Sequence, residues 1–186
     1  MGQKIKFNYK DKEYEFPLIQ GTEGEVGIDI KTLRSETGLI TLDPGYKNTG
    51  SCISSITYLD GENGILRYRG YDIDDLANNS SFIEVSYLLI FGEMPSSNEL
   101  NKFENDIRKE CLVHEDITSI LKSFPHGAHP MGVLASLTSA LISFNPGSVD
   151  VNSEEKMYHA IVQLIAKFSV LTAWVHRKVR GLPLNY

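Results

Sequence analysis

The segment from Ser153 to Gly181 is apolar around most of a helical wheel, and this constrains the fold more than any other feature. Met157, Ile161, Leu164, Ile165, Phe168, Leu171, Val175 and Val179 recur at helical spacing. Val162, Ala166, Val170, Ala173 and Trp174 add a second apolar face. Glu154 and Glu155 open the segment, and the basic run His176-Arg177-Lys178-Val179-Arg180 closes it, as the two ends of a helix dipole favour. A helix of roughly 27 residues is about 40 Å long, and one apolar on several sides must be buried on several sides. The preceding helical sequence is short for that task. The expectation is that partners of this helix lie in another chain or in further sequence.

Lys167, Ser169 and Thr172 interrupt the apolar run, which reads as a core helix of a soluble protein rather than a membrane span. The formal charge of −6 argues against a general nucleic-acid or anionic-membrane binder, since both require a basic face. Cys52 and Cys111 lack CxxC spacing and are too few for a disulfide framework. They fit free thiols in a reducing, cytoplasmic setting. The first residues carry no apolar leader.

The rest divides into a β-rich annex over 1–70 and a helical segment over 71–186, giving a mainly α fold. Lys4–Tyr9 alternates polar and apolar residues and pairs with Tyr14–Phe16 as a predicted hairpin. Ile56–Leu59 and Ile65–Arg69 form a second one across the turn Asp60–Gly64. Helices are predicted over 72–77; over Phe82–Phe91, stopped by Gly92; and from the capping box Ser96–Glu99 to about Lys109. Two more run over His114–Phe124 and from His129-Pro130 to Phe144, the latter ended by Asn145-Pro146-Gly147. Gly132, Ala135, Ser136, Ser139 and Ala140 would let a neighbouring backbone approach that helix closely.

Chemistry-bearing motifs are sparse. Gly21, Gly24 and Gly27 do not have the spacing of a phosphate loop, and His114-Glu115 opens like HExxH without the second histidine. His126 and His129 could supply two metal ligands, but no third is evident; the alternative is that His129 caps the following helix. Glu84 and Glu93, Asp74 and Asp75, and Glu154 and Glu155 sit at turns or helix starts and read as solvated or dipole partners. His159 and His176 read as making local hydrogen bonds. Arg67 and Arg69 share a face if both lie on a strand, and could clamp a dicarboxylate or fix a fold element.

Several of these stretches together resemble bacterial type II citrate synthase. They are Leu42-Asp43-Pro44-Gly45, Thr49–Gly61 with its Ser51-Cys52-Ile53-Ser54-Ser55 run, and Gly64-Ile65-Leu66-Arg67-Tyr68-Arg69-Gly70-Tyr71. His129-Pro130-Met131 and Ser148-Val149-Asp150-Val151-Asn152 continue the likeness, which runs from about Ile28 to Tyr186. The resemblance implies the N-terminal portion of an acyltransferase that condenses acetyl-CoA with oxaloacetate to citrate and CoA. In that chemistry a carboxylate removes a methyl proton, one histidine stabilises the enol, another polarises the ketone, and arginines clamp the carboxylates.

By the same comparison the catalytic residues lie C-terminal of Tyr186. None of His114, His126, His129, His159 or His176 matches them, so no catalytic, cofactor-binding or metal residue is assigned, and the chain alone is expected to be inactive. Arg67 and Arg69 are then read as structural, fixing a hairpin against acids or helix ends. Some family members bind NADH at positions matching Lys109, Glu110, Cys111, Asn145, Gln163 and Lys167. Only Lys167 keeps the sensitive pattern, and Glu110 would repel phosphates, so neither NADH regulation nor any other cofactor is expected. Cys111 is read as a packed thiol. Expected partners are further copies of the chain, as dimer or hexamer, with both substrates requiring the C-terminal part. Alternatives are a 2-methylcitrate synthase using propionyl-CoA, or a non-enzymatic helical oligomerisation module.

Overall fold

The computed structural model describes residues 3–145, 150 and 152–184. It divides between Ser55 and Ile56 into two compact units.

The first unit is built on an antiparallel sheet of β1 (Lys4–Tyr9), β2 (Lys12–Gln20) and β3 (Val26–Ile28), in that order. Tyr9 pairs with Lys12, so the hairpin turns on Lys10 and Asp11 alone, with φ of 50° and 61°. Positive φ at both central positions gives a turn whose twist matches the strands it joins. One face stacks Phe7 on Tyr14 and Phe16, with centroids 5.7 and 5.4 Å apart. The other face carries a charge ladder, in which Lys6 lies 2.8 Å from Glu13 and 3.0 Å from Glu15. A one-turn helix, α1 (Leu33–Thr37), ends at Gly38 in the left-handed region. The sequence reading contained neither β3 nor α1.

The second unit begins with a meander, β4 (Thr57–Asp60), β5 (Ile65–Tyr68) and β6 (Tyr71–Asp72). The Asp60 carboxylate accepts from the backbone N–H groups of Glu62 and Asn63 and closes the turn. Among the described residues six helices follow: α2 (Ile73–Asn79), α3 (Phe82–Phe91), α4 (Ser97–Lys109), α5 (Glu115–Ser123), α6 (Pro130–Phe144) and α7 (Glu154–Val179). Capping boxes start both α3, through Ser81 and Glu84, and α4, through Ser96 and Glu99. Glu84 is thus a helix cap, satisfying a backbone donor that would otherwise lack a partner. Asn145 caps the C-terminus of α6. Pro146 and Gly147, read with it as a stop signal, lie outside the described residues, as do Ser148, Val149, Val151 and Tyr186.

Two apolar clusters lie along α7. Near its start, Tyr158 joins Phe91 of α3 and Phe103 of α4 in a ring cluster that also takes in Tyr87. Further along, Leu171, Trp174 and Val175 pack with Ile117 and Leu121 of α5 and Val133, Leu134, Leu137 and Leu141 of α6. Burial of each such leucine or isoleucine contributes about 1.5–3 kcal/mol relative to exposure.

The helix is unevenly buried within this segment. Val162, Ala166 and Trp174 of the second face are buried, whereas Met157, Leu164, Phe168 and Val179 of the first face are exposed. Gly132, Ala135, Ser136 and Ser139 of α6 are exposed too. By length and composition α7 could cross a membrane, with a mean hydropathy of 1.3 over its most apolar window. Here it is the shared packing partner of α4 and α6.

Candidate functional site

The two arginines of the β5 region part company in the structure. Strand β5 ends at Tyr68, and Arg69 lies beyond it with φ of 52°. The expectation that both arginines share a strand face therefore fails at Arg69, because the chain turns left-handed there and again at Gly70 (φ 90°). The Arg69 guanidinium donates to the Leu89 carbonyl at 3.0 Å, in the last turn of α3. That oxygen belongs to the carbonyl-rich end of a helix dipole, where a cation is favoured. Gly92 caps the same helix end with φ of 98°. The Arg67 guanidinium sits 5.9 Å from the centre of the Tyr58 ring, on the paired strand β4.

The histidines are separated as well. His114 and His129 are N-caps of α5 and α6, each accepting a backbone N–H at Nδ1. His126, His159 and His176 are exposed. Among the described residues, no three His, Cys, Asp or Glu side chains come together in a metal-binding group.

What the structure does bring together is the set of positions around Lys167. The end of α4 and the segment after it pass beside the middle of α7. The Lys167 ammonium is buried there and donates to the main-chain carbonyls of Glu110 and Leu112, both at 2.9 Å. Its third neighbour is the Glu110 carboxylate, at 3.5 Å. Gln163, one turn earlier on α7, donates to the same carboxylate at 3.0 Å. Burial pushes the Glu110 carboxyl up, but the Gln163 hydrogen bond and the Lys167 charge outweigh it and hold the group below its ordinary value. Cys111 is half-buried, and its thiol donates to the Ile107 carbonyl at 3.3 Å.

Two grooves flank this junction. One, of about 310 Å³, runs between α6 and α7; Leu141, Ile142 and Leu164 form apolar walls, and Asn145, Gln163 and Lys167 bring polar groups. The other, of about 290 Å³, is lined by Asp106, Lys109, Glu110, Glu155, Tyr158 and His159. In the second groove Tyr158 accepts from Lys102 and donates to Asp106, both at 3.0 Å. Lys109 reaches Asp106 at 3.4 Å. The Asp106 carboxyl is held below its ordinary value, first by Lys102 and then by Tyr158. Lys102 and Lys109 stay largely exposed, whereas Lys167 is committed to internal acceptors. Lys167 has three hydrogens and three acceptors, which leaves none to donate to an incoming phosphate.

Sequence reasoning gathered Lys109, Glu110, Asn145, Gln163 and Lys167 by resemblance, and they do lie around one junction. It missed Tyr158, Lys102 and Asp106. The spacing of Lys102 and Asp106 at i, i+4 was a readable signal, but the crossing to Tyr158 was not.

The model of the citrate synthase C-terminal domain family matches residues 45–186. The chain belongs to the citrate synthase family. It is 47% identical over 183 residues to citrate synthase from Corynebacterium glutamicum, covering 98% of this chain and 42% of that protein. It is 40% identical over 178 residues to citrate synthase 1 of Mycobacterium tuberculosis, covering 96% and 41%. The crystal structure of citrate synthase from Pyrobaculum aerophilum superposes with a TM-score of 0.68 at 27% identity, over 92% of this chain and 40% of that one. The chain therefore spans about two fifths of the length of the citrate synthases it matches. The mainly helical architecture with a small N-terminal sheet is that of the family's fold.

Proposed function

We propose that this chain is the N-terminal segment of a citrate synthase, an acyltransferase that condenses acetyl-CoA with oxaloacetate to release citrate and CoA. The observation that carries the reading is the 47% identity, sustained over 98% of the chain, to a citrate synthase. No residue of the segment is assigned to the chemistry. Its role is to supply helices and the hairpin that support a site completed by other parts of the protein. Arg69 supports this division, since its guanidinium is engaged with a helix end.

Self-association belongs to the same reading. The exposed apolar residues Met157, Leu164 and Phe168 of α7, with Met131 and Ile142 of α6, are surface that further chain or a second copy would cover. The two cysteines are free, in keeping with a cytoplasmic location. No cofactor is proposed: an NADH site at the Lys167 junction would need a cation that is already saturated and a place beside the Glu110 carboxylate.

The test is CoA release, followed as free thiol. The protein that continues this chain to the length of its relatives is expected to turn over acetyl-CoA with oxaloacetate, and the 186-residue chain alone to show none. Turnover by the short chain would refute the assignment of the chemistry elsewhere. Preference for propionyl-CoA in the long protein would replace citrate with 2-methylcitrate as product, and absence of any condensation would leave a helical oligomerisation module.

A further inference from the structure

Two neighbouring helices of the second unit begin on a histidine used in the same way. Asp116 N–H donates to Nδ1 of His114 at 3.3 Å, and Met131 N–H donates to Nδ1 of His129 at 3.3 Å. An imidazole nitrogen accepts only while it carries no hydrogen. Protonation turns Nδ1 into a donor facing a backbone donor, and places positive charge at the positive end of the helix dipole. Either cap taken alone would therefore be lost on acidification.

The surroundings separate them. His114 has the Asp116 carboxylate 3.5 Å from the same Nδ1, with Glu115 beside it in the first turn of α5. Protonated His114 exchanges the N–H···N cap for an ion pair at the same place, its ring still resting on Phe144 at 4.8 Å. From α7, Lys167 reaches the nearby Leu112 carbonyl and is paired with Glu110. His129 has no such compensation. The first turn of α6 contains no acidic residue. The titratable groups lining the cavity that Ala128 and Val133 share at the start of α6 are His126 of the preceding loop and Lys178 of α7. Both are basic.

We infer that His129 is an acid-labile latch on α6, released as its imidazole is protonated, while the matching His114 cap on α5 survives as an ion pair. The released turn leads directly into Val133 and Leu134, which are buried in the α5–α6–α7 cluster. Opening it loosens the entry of α6 into that cluster without touching the Lys167 junction.

Amide hydrogen exchange on the intact protein, corrected for the intrinsic rate at each pH, tests this. On acidification from about pH 7.5 to about pH 5.5, protection of amides 131–135 is expected to fall about fivefold, the size of a typical cap contribution. Amides 117–120 should hold. His129→Ser supplies a non-titrating cap and should abolish the fall, and His129→Asn should do the same if the serine variant folds poorly. Unchanged protection at 131–135, a fall that persists in both variants, or an equal fall at 117–120 would each overturn the inference.

Discussion

The ammonium of Lys167 and the carbonyl oxygen of Leu112 lie 2.9 Å apart, joining the middle of α7 to the segment that leaves α4. With the Glu110 carbonyl and carboxylate as its other acceptors, this lysine is a clasp between elements distant in sequence. The buried charge is tolerated because its desolvation is offset by charge-assisted hydrogen bonds.

Lys167→Met should therefore destabilise the fold by about 3 kcal/mol, since it strands a part-buried carboxylate and two carbonyls. The double variant with Glu110→Gln should recover part of the loss. Urea midpoints of the four members of the cycle measure both effects; equal midpoints for parent and Lys167→Met would show that the clasp contributes nothing.

Acid should open the same junction. Glu110 in the fold is held below its ordinary value of 4.5, and Asp106 below 3.8. A carboxylate whose folded value is depressed contributes stability that is complete above its unfolded value and lost as pH falls through the folded one. Stability should thus decline with pH below about 4.5, and Glu110→Gln should flatten that decline. Denaturant melts across the acid range give the slope, and an identical slope in the variant would remove Glu110 from the account.

Arg69 makes a separate contribution. Arg69→Ala removes a charged donor from the Leu89 carbonyl and should cost about 2 kcal/mol. Activity of the long protein should fall only as far as its folded fraction does. A large loss of turnover with unchanged stability would instead return Arg69 to the substrate clamp it superficially resembles.

NADH titrated into the long protein through the micromolar range should leave the rate of CoA release unchanged, because Lys167 offers no unpaired hydrogen and Glu110 sits beside it. Micromolar inhibition would contradict the proposal.

Most helices of the second unit were legible because their ends are written in local chemistry. Ser96 and Glu99, His129 with Pro130, and Gly92 are caps whose partners lie within a few residues. The Ser81–Glu84 box was equally readable and was passed over. Strand β3 and helix α1 were not legible, being three and five residues long with no fully buried side chain to set a period. Which face of α7 packs inward was not legible for a different reason. Periodicity shows that Met157, Leu164 and Phe168 lie on one side, but not which side this chain covers. The residues around Lys167 could be grouped only by resemblance, and its bonding could not be read at all, because two of its three acceptors are main-chain oxygens that any residue type would supply.

The position of α7 in the chain also sets the order of assembly. Among the described residues it follows α4, α5 and α6, which pack on it, so these three emerge with their apolar faces before α7 exists. During synthesis, Phe103 waits for Tyr158, and Leu121 waits for Trp174, a delay on the order of seconds at ordinary elongation rates. Contacts this distant in sequence close slowly. Slowing translation between Phe144 and Glu154 should therefore lower the yield of folded protein more than slowing it within α7's last turn.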